Sequence, residues 1–185
     1  HDVPEWYLES CRKIKYMFPK AHAVAYLIAA IRMMWFKLYH PLAFYATNFT
    51  VRGEDIDYEA AIGGREVAKR HIHEITEKIK NNQEKSAKDE DILTSLQILN
   101  EYLCRGYEFL PIELGSSRAS TYVVEAGKIR LPFTALKGVG EAAATSLERA
   151  TIDGQRYLSI EELQQATGVS VAVIEGLEKA GALGG

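Results

Sequence analysis

The chain has 185 residues, enough to bury a hydrophobic core as one large domain or two small ones. Apolar residues make up 47% of it and charged residues 25%, proportions that exclude a wholly disordered chain. The net charge of −3 indicates no partner by itself, but residues 1–53 carry +4 and residues 54–185 carry −7, which hints at a polyanionic partner for the basic end.

The cysteine content and the first residues of the chain indicate the cellular compartment in which the protein is expected. Two cysteines, Cys11 and Cys104, are too few for a disulfide framework and favour free thiols in a reducing cytosol. The chain opens with His-Asp-Val-Pro-Glu and shows no basic end followed by an apolar run, so no signal peptide is visible. We therefore expect a cytoplasmic location. The first residue is His and not Met, as expected if the chain is a piece of a longer protein.

Helices dominate the predicted N-terminal part. A short helix with an aromatic turn is expected over 4–18, and further helices over 21–39 and 41–50, separated at His40-Pro41. The helix over 21–39 is apolar nearly all round, so we expect it to be enclosed. Two charged residues, Arg32 and Lys37, interrupt it and disfavour a membrane span.

Aromatic residues are concentrated in the same region. Eleven of the eighteen fall between Trp6 and Phe49. They could stack on nucleic-acid bases, but aromatic residues at helical spacing are usually core residues. The core interpretation is therefore preferred.

Two helices are predicted between residues 57 and 104. The first, over 57–81, is charged, has a candidate break at Gly63-Gly64, and is followed by a polar turn over 81–86. The second, over 87–104, places four apolar residues at spacings of four, three and four: Ile92, Leu96, Leu99 and Leu103. Gly106 is expected to end this helix as a C-cap.

Groups that could bind metal in this region are interpreted as structural. Glu54-Asp55-Ile56-Asp57 is expected to cap a helix, and Asp89-Glu90-Asp91 lies in a first turn, where acids suit the helix dipole. His71 and His73 are two apart on a helix, so their rings lie on different faces. We predict no metal site, and no catalytic triad or nucleotide-binding loop is present.

The pattern then changes to three short strands over 109–114, 121–125 and 128–131. The last two are joined by a tight turn at Ala126-Gly127. A domain boundary is expected near 105–131, with the small sheet as the connector.

The segment Leu136-Lys137-Gly138-Val139-Gly140-Glu141-Ala142-Ala143-Ala144 has the form of a helix-hairpin-helix. Its glycines permit unusual backbone angles and close approach of a ligand, and Val139 can pin the turn to the helix pair. The free amides of the turn and of the following helix are expected to face solvent as a phosphate site beside Lys137. Such a site reads the DNA backbone and not the bases. The alternative is an ordinary tight turn between helices.

Two further patterns favour the hairpin. Apolar residues stand where a paired-helix core needs them: Leu136, Val139, Ala143 and Leu147. A weaker copy follows, with a capping box at residues 159–162, a turn Thr167-Gly168-Val169-Ser170, apolar residues at Val171, Ile174 and Leu177, and a stop at Gly181. Because Ser170 replaces the second glycine, this copy could serve structure more than phosphate binding. Gly168, Val169 and Ser170 remain DNA-binding candidates.

Several segments together resemble the bacterial C-family replicative DNA polymerase, the alpha subunit of DNA polymerase III, and most closely its Gram-positive type. The segment Tyr16-Met17-Phe18-Pro19-Lys20-Ala21-His22-Ala23-Val24-Ala25-Tyr26 is similar to the family's fingers motif. The resemblance continues through Phe36-Lys37-Leu38-Tyr39-His40-Pro41, Arg105-Gly106-Tyr107, Ser117-Arg118-Ala119 and the tandem hairpins. It covers essentially all 185 residues in order.

The resemblance implies a mainly α fold with a small β-sheet connector. It divides the chain into a helical fingers segment over 1–104, a three-stranded connector over 105–131 and a tandem helix-hairpin-helix domain over 132–185. Lys20 and His22 would face the incoming nucleotide, the alternative being that they are solvated or packed. A set of basic residues would either contact a strand backbone or form a solvated face: Arg12, Lys13 and Lys15.

The resemblance also implies a parent enzyme that uses Mg²⁺ held by palm aspartates to catalyse nucleotidyl transfer. Residues 1–53 contain only Asp2, Glu5 and Glu9 as acids, so the chain itself is expected to be inactive. The implied partners are double-stranded primer-template DNA, a deoxynucleoside triphosphate and other polymerase domains, with no membrane. The alternatives are a stand-alone DNA-binding or repair accessory protein and a helical protein-interaction module.

Overall fold

A computed structural model describes residues 3–13, 19–52, 56–81, 87–153, 157 and 159–183. It forms two compact units, His1–His40 and Pro41–Gly185. The chain is mainly helical with one three-stranded sheet, which confirms the predicted fold class. The predicted aromatic turn at 16–18, most of the polar turn at 81–86, and Lys15, Glu54 and Asp55 lie outside the described residues.

The first unit contains helices α1 (Glu5–Lys13) and α2 (Lys20–Tyr39). Pro19 occupies the N-cap position of α2 with an extended backbone, as a residue that lacks an N–H and fixes its own φ can do. At the other end, the His40 N–H donates to the Phe36 carbonyl at 2.8 Å. The proline after His40 then prevents the helix from continuing.

The prediction that α2 is enclosed is wrong for this structure. None of its residues is buried, and large apolar side chains such as Leu27, Met34 and Leu38 are 60–66% exposed. The other described helix of this unit, α1, also buries no residue, so it offers no surface that could cover a helix apolar on all sides. By length and composition alone, with a mean hydropathy of 1.3, α2 is the one helix among the described residues that could cross a membrane.

The second unit begins with four helices, α3 (Pro41–Arg52), α4 (Tyr58–Gly63), α5 (Arg65–Asn81) and α6 (Ala87–Cys104). The predicted break in the charged helix is confirmed, because Gly64 lies between α4 and α5 with φ +79°. Asp57 caps α4, its carboxylate accepting the Ala60 N–H at 2.9 Å. Helix α6 has the predicted bounds, and Gly106 follows it with φ +84°.

Aromatic side chains from α3, α6 and the first strand form the centre of this unit. Tyr45 and Tyr102 are fully buried with their rings in contact, and Phe49, which packs against both, is 2% exposed. Burial raises the pKa of the Tyr45 hydroxyl to about 12. The core interpretation of the aromatic residues is therefore confirmed for α3, but it is wrong for exposed residues of the first unit such as Trp6 and Tyr26.

The sheet consists of β1 (Phe109–Leu110), β2 (Val123–Glu125) and β3 (Lys128–Arg130) in the order β1-β3-β2. Strand β3 pairs parallel to β1 and antiparallel to β2. Positive φ angles at Ala126 (+50°) and Gly127 (+79°) confirm the predicted tight turn. Strand β1 is shorter than predicted, because Pro111 has no N–H to donate to a ladder.

The C-terminal part contains a 3₁₀ helix (Phe133–Ala135), α7 (Glu141–Thr151), α8 (Ile160–Thr167) and α9 (Val171–Lys179). Its predicted core is largely confirmed, with these residues at most 9% exposed: Leu136, Val139, Leu147, Ile174 and Leu177. Ala143 is half-buried and packs against this core, and the next residue, Ala144, is fully buried. One position was wrong, because Val171 is 60% exposed while Val173 is 6% exposed.

Candidate nucleic-acid interface

The first hairpin turn, residues 137–140, connects the 3₁₀ helix to α7. Gly138 has φ +92°, a conformation that other residues adopt only at a cost, so glycine is required there. Gly140 has φ −77° and ψ 165°, which any residue adopts. The expectation that both glycines serve backbone freedom is therefore correct for Gly138 only, and Gly140 contributes the absence of a side chain at the start of α7.

Val139 fixes the turn to the core. Its side chain is only 7% exposed, as predicted. Its amide N–H donates to the Leu136 carbonyl at 3.1 Å. The expectation that the amides around Val139 are free is therefore wrong for Val139 itself, because an i→i+3 hydrogen bond closes the turn.

The amides that remain open lie one step further along the chain, at the start of α7. Gly140 has no side chain to cap the helix, and its carbonyl accepts the Ala144 N–H at 2.9 Å. The N–H groups of Gly140, Glu141 and Ala142 have no hydrogen-bond partner within the described part of the chain. Helix geometry directs first-turn amides outward along the helix axis, where they can bind an anion. The sequence signal for this site is the absence of Ser, Thr, Asp or Asn before α7.

Charged side chains flank these amides. Lys137 is exposed and forms no ion pair with any residue that the structure describes, so its ammonium is available to a phosphate. Glu141, also exposed, lies in the first turn of α7, where a carboxylate interacts favourably with the helix dipole. A phosphate at this position would therefore gain from the amides and Lys137 and lose from Glu141.

The second hairpin turn, residues 167–170, repeats this geometry. Gly168 ends α8 in the left-handed conformation with φ +67°, and its N–H donates to the Gln164 carbonyl at 2.8 Å. Val169 is 6% exposed, the counterpart of Val139. Ser170 is the N-cap residue of α9, but its hydroxyl accepts no capping hydrogen bond.

Two other helices of this unit begin at a side-chain cap. Ser159 caps α8, its hydroxyl accepting the Glu162 N–H at 3.2 Å, and Asp57 caps α4. Both helices that follow a hairpin turn lack such a cap. Because each of them also follows a glycine with positive φ and a buried valine, the starts of α7 and α9 are candidate anion sites.

The C-terminal part carries little positive charge to attract DNA. Residues 132–185 contain four basic and seven acidic residues. A long-range field would therefore not draw a polyanion to it, and contact must depend on short-range hydrogen bonds from the turn amides and on Lys137.

Of the predicted nucleotide and strand contacts of the first unit, those that the structure describes are exposed. Lys20 is the first residue of α2, and the His22 ring packs edge-to-face on Tyr26 with centroids 4.6 Å apart. Arg12 forms an exposed ion pair with Glu5 at 3.3 Å. Lys13 ends α1. The structure brings no anion-binding pocket around these side chains within the described residues of this unit, so their roles stay predictions.

Two of the acidic residues interpreted as structural, Asp57 and Asp89, make structural contacts. Asp57 accepts the helix-capping hydrogen bond and also lies 2.5 Å from His71 Nδ1. Asp89 pairs with Lys78 at 2.7 Å. In the residues that the structure describes, no three potential ligands come together as a metal site.

Sequence comparisons place this geometry in a family. A family model described as a helix-hairpin-helix motif matches residues 106–185. A DNA polymerase III PolC-type from Oceanobacillus iheyensis is 42% identical over 185 residues, which are 100% of this chain and 13% of that protein. The proteins of the same name from Listeria innocua and Streptococcus pneumoniae are 42% and 43% identical over 99% and 98% of this chain.

The chain spans only 12–13% of the length of these relatives. The match nevertheless extends from one end of this chain to the other, so it includes the segments on which the predicted resemblance rests. That resemblance is confirmed. Over its whole length the chain is thus similar to one segment of the DNA polymerase III PolC-type proteins, and this segment carries a helix-hairpin-helix motif.

Proposed function

We propose that this chain is the part of a replicative DNA polymerase that holds duplex DNA by its backbone while the nucleotide is added elsewhere in the parent protein. The observation that carries the proposal is the similarity to PolC-type polymerases over the whole chain. The uncapped starts of α7 and α9 support it, because they supply a physical means of binding phosphates.

DNA binding depends on the backbone amides of the hairpin turns. One phosphate accepts hydrogen bonds from the amides of Gly140, Glu141 and Ala142, and Lys137 adds a mobile positive charge beside it. The start of α9 offers a second phosphate site at Ser170. Because no base edge is read, binding is independent of DNA sequence, as a replicative enzyme requires.

The first unit contributes to the nucleotide site of the parent. Lys20 and His22 face the triphosphate of the incoming nucleotide, with Arg12, Lys13 and Lys15 near a strand backbone. The exposed apolar surface of α2 packs against other domains of the polymerase. The carboxylates that hold Mg²⁺ belong to the remaining part of the parent, which acts in the cytoplasm on nucleoid DNA.

Salt-dependent DNA binding tests this proposal. The 185-residue chain is titrated against a fluorescein-labelled duplex at several salt concentrations, with binding followed by fluorescence anisotropy. If the hairpins neutralise two to four phosphates, log affinity falls against log salt with a slope of about −2 to −4. Two duplexes of unrelated sequence should bind alike.

The alternatives give different results. A helical protein-interaction module shows no DNA binding at any salt concentration. A polymerase segment and a stand-alone accessory protein both bind, and they differ in the gene, where the polymerase reading frame extends beyond this chain and encodes the catalytic aspartates. The chain with primer, template, nucleotides and Mg²⁺ should give no extension, and robust extension would contradict the assignment of catalysis to the rest of the parent.

A further inference from the structure

The two arms of the first hairpin differ in how well they can hold their own shape. The second arm, α7, has eleven residues, but the first arm is a 3₁₀ helix of only three residues, Phe133–Ala135. Such a short turn of helix has little stability of its own. Something outside the hairpin must therefore keep the first arm in place.

The bridging segment, defined here as residues 117–119, binds the first arm through its backbone. The Arg118 carbonyl accepts the Phe133 N–H at 3.0 Å. The Ala119 carbonyl accepts the Thr134 N–H, also at 3.0 Å. These two hydrogen bonds satisfy amides at the start of the 3₁₀ helix that have no partner within the helix.

The same segment binds the second arm through one carboxylate. Glu148 of α7 accepts the Ala119 N–H at 2.7 Å with Oε2 and the Arg118 guanidinium at 3.2 Å with Oε1. The contact with the backbone amide is the shorter of the two. The bridging segment therefore contacts both arms at once.

The bridging segment is itself fixed to the sheet connector. Ser117 is only 1% exposed. Its hydroxyl donates to the Leu131 carbonyl at 2.8 Å and accepts the Glu113 N–H at 3.0 Å. Nearby Gly115 has φ +84°, and a Cβ built there would lie 3.3 Å from the Thr151 carbonyl at the end of α7. The loop that leads to the segment thus fits closely against the second arm as well.

We propose that Glu148 is a positioning residue for DNA binding: by holding α7 to the bridging segment it fixes the two arms of the first hairpin and so directs the open amides of residues 140–142. This inference rests on the proposed function. Glu148 does not itself bind DNA, since its carboxylate would repel a phosphate. Its role is carried by its acceptor oxygens and not by its charge.

The charge of Glu148 and its positioning role predict opposite changes in DNA affinity when the side chain is removed, so the direction of the change distinguishes them. Removing a carboxylate near DNA strengthens binding by electrostatics alone. Removing the acceptor for the Ala119 N–H frees the arms and weakens binding. The 185-residue chain is therefore compared in three variants, Glu148→Ala, Glu148→Gln and the matched control Glu175→Ala, whose glutamate is exposed on α9.

Affinity for a fluorescein-labelled duplex is measured by anisotropy for each variant. Glu148→Ala is expected to bind about tenfold more weakly than the wild type, and Glu148→Gln, which keeps an acceptor oxygen, within about twofold of it. Glu175→Ala is expected to bind as well as the wild type or slightly better. Binding by Glu148→Ala as tight as that of Glu175→Ala overturns the inference.

Amide hydrogen exchange gives a second readout that general destabilisation would not reproduce. In Glu148→Ala the amides of Phe133 and Thr134 should exchange faster, while the Ala144 amide inside α7 keeps its protection. Equal protection of Phe133 and Thr134 in the wild type and the variant also overturns the inference. If Glu148→Ala does not fold, Glu148→Asp, whose carboxylate is one methylene further back, replaces it with the same expected direction.

Duplex binding by the wild-type chain distinguishes a failure of this inference from a failure of the proposed function. A wild-type chain that fails to bind any duplex contradicts the proposed function. A wild type that binds while Glu148→Ala binds equally well contradicts only the positioning role of Glu148.

Discussion

The two hairpins share one turn geometry but are held by different arms. Each turn has a glycine with positive φ, Gly138 or Gly168, followed by a buried valine. The second hairpin has a real helix as its first arm, because Ser159 caps the eight residues of α8. The first hairpin has only a 3₁₀ helix, whose N–H groups donate to the carbonyls of residues 118 and 119.

This comparison separates what the turn requires from what the ligand requires. The position after the buried valine is glycine in one turn and serine in the other, and both residues have extended backbone angles. The second glycine of the Gly-x-Gly pattern is therefore not a conformational requirement. Its value lies in leaving the start of α7 without a side chain, which is a property that matters only if something binds there.

The largest difference between the hairpins should appear when each helix start is given a carboxylate. In Gly140→Asp the new side chain accepts the first-turn amides and repels a phosphate, so duplex affinity should fall by at least about tenfold. The same cap should stabilise the fold by about 0.3–1 kcal/mol, measured as a rise in thermal midpoint by circular dichroism. Binding and stability thus change in opposite directions.

Ser170→Asp is the matched change in the second hairpin, and Gly140→Ala is the control for adding a side chain without a charge. If the second hairpin serves structure more than phosphate binding, Ser170→Asp lowers affinity less than Gly140→Asp. Gly140→Ala should fold normally, because a Cβ at this position meets no atom within 4 Å. Unchanged affinity in Gly140→Asp would show that the start of α7 is not the phosphate site.

A smaller difference is expected at the left-handed glycines. Gly138→Ala and Gly168→Ala each force a side chain into positive φ without a steric contact, because a Cβ meets nothing within 4 Å at either position. Each should lose about 1–2 kcal/mol of stability, measured by urea unfolding. Gly138→Ala should also weaken duplex binding, and Gly168→Ala should weaken it less. Equal loss of affinity in both variants would mean that the two turns contribute alike.

The turns were predictable from the sequence because their requirements are local. A glycine that must adopt positive φ and an apolar residue beside it leave a direct mark in the pattern, as does the capping box at Ser159. The core positions were correct to within one or two residues of the helix. Val171 was wrong because successive helical positions differ by 100° in direction, and only packing decides which of the nearby apolar residues faces the core.

Features that depend on distant residues could not be predicted. The enclosed state expected for α2 follows from its apolar composition, but composition does not say whether the covering surface lies in this chain. The bridging segment was visible in the sequence only as part of a family resemblance. Its contact with Glu148 joins residues 29 and 30 positions apart, and no spacing rule connects them.

The smallest effect that distinguishes the hairpins is that of Lys137, which has no equivalent cation in the turn of the second hairpin. Its ammonium would contact one phosphate from a flexible stem, so Lys137→Ala should reduce the salt slope of duplex binding by about 1 and weaken binding equally for all sequences. Lys179→Ala removes the same charge from the opposite end of α9 and should leave the slope unchanged. Since the C-terminal part has more acidic than basic residues, a general field contributes little, and equal slopes for the two variants would place Lys137 outside the phosphate contact. The amides of residues 140–142 would then bind the phosphate at the first hairpin without a cation beside them.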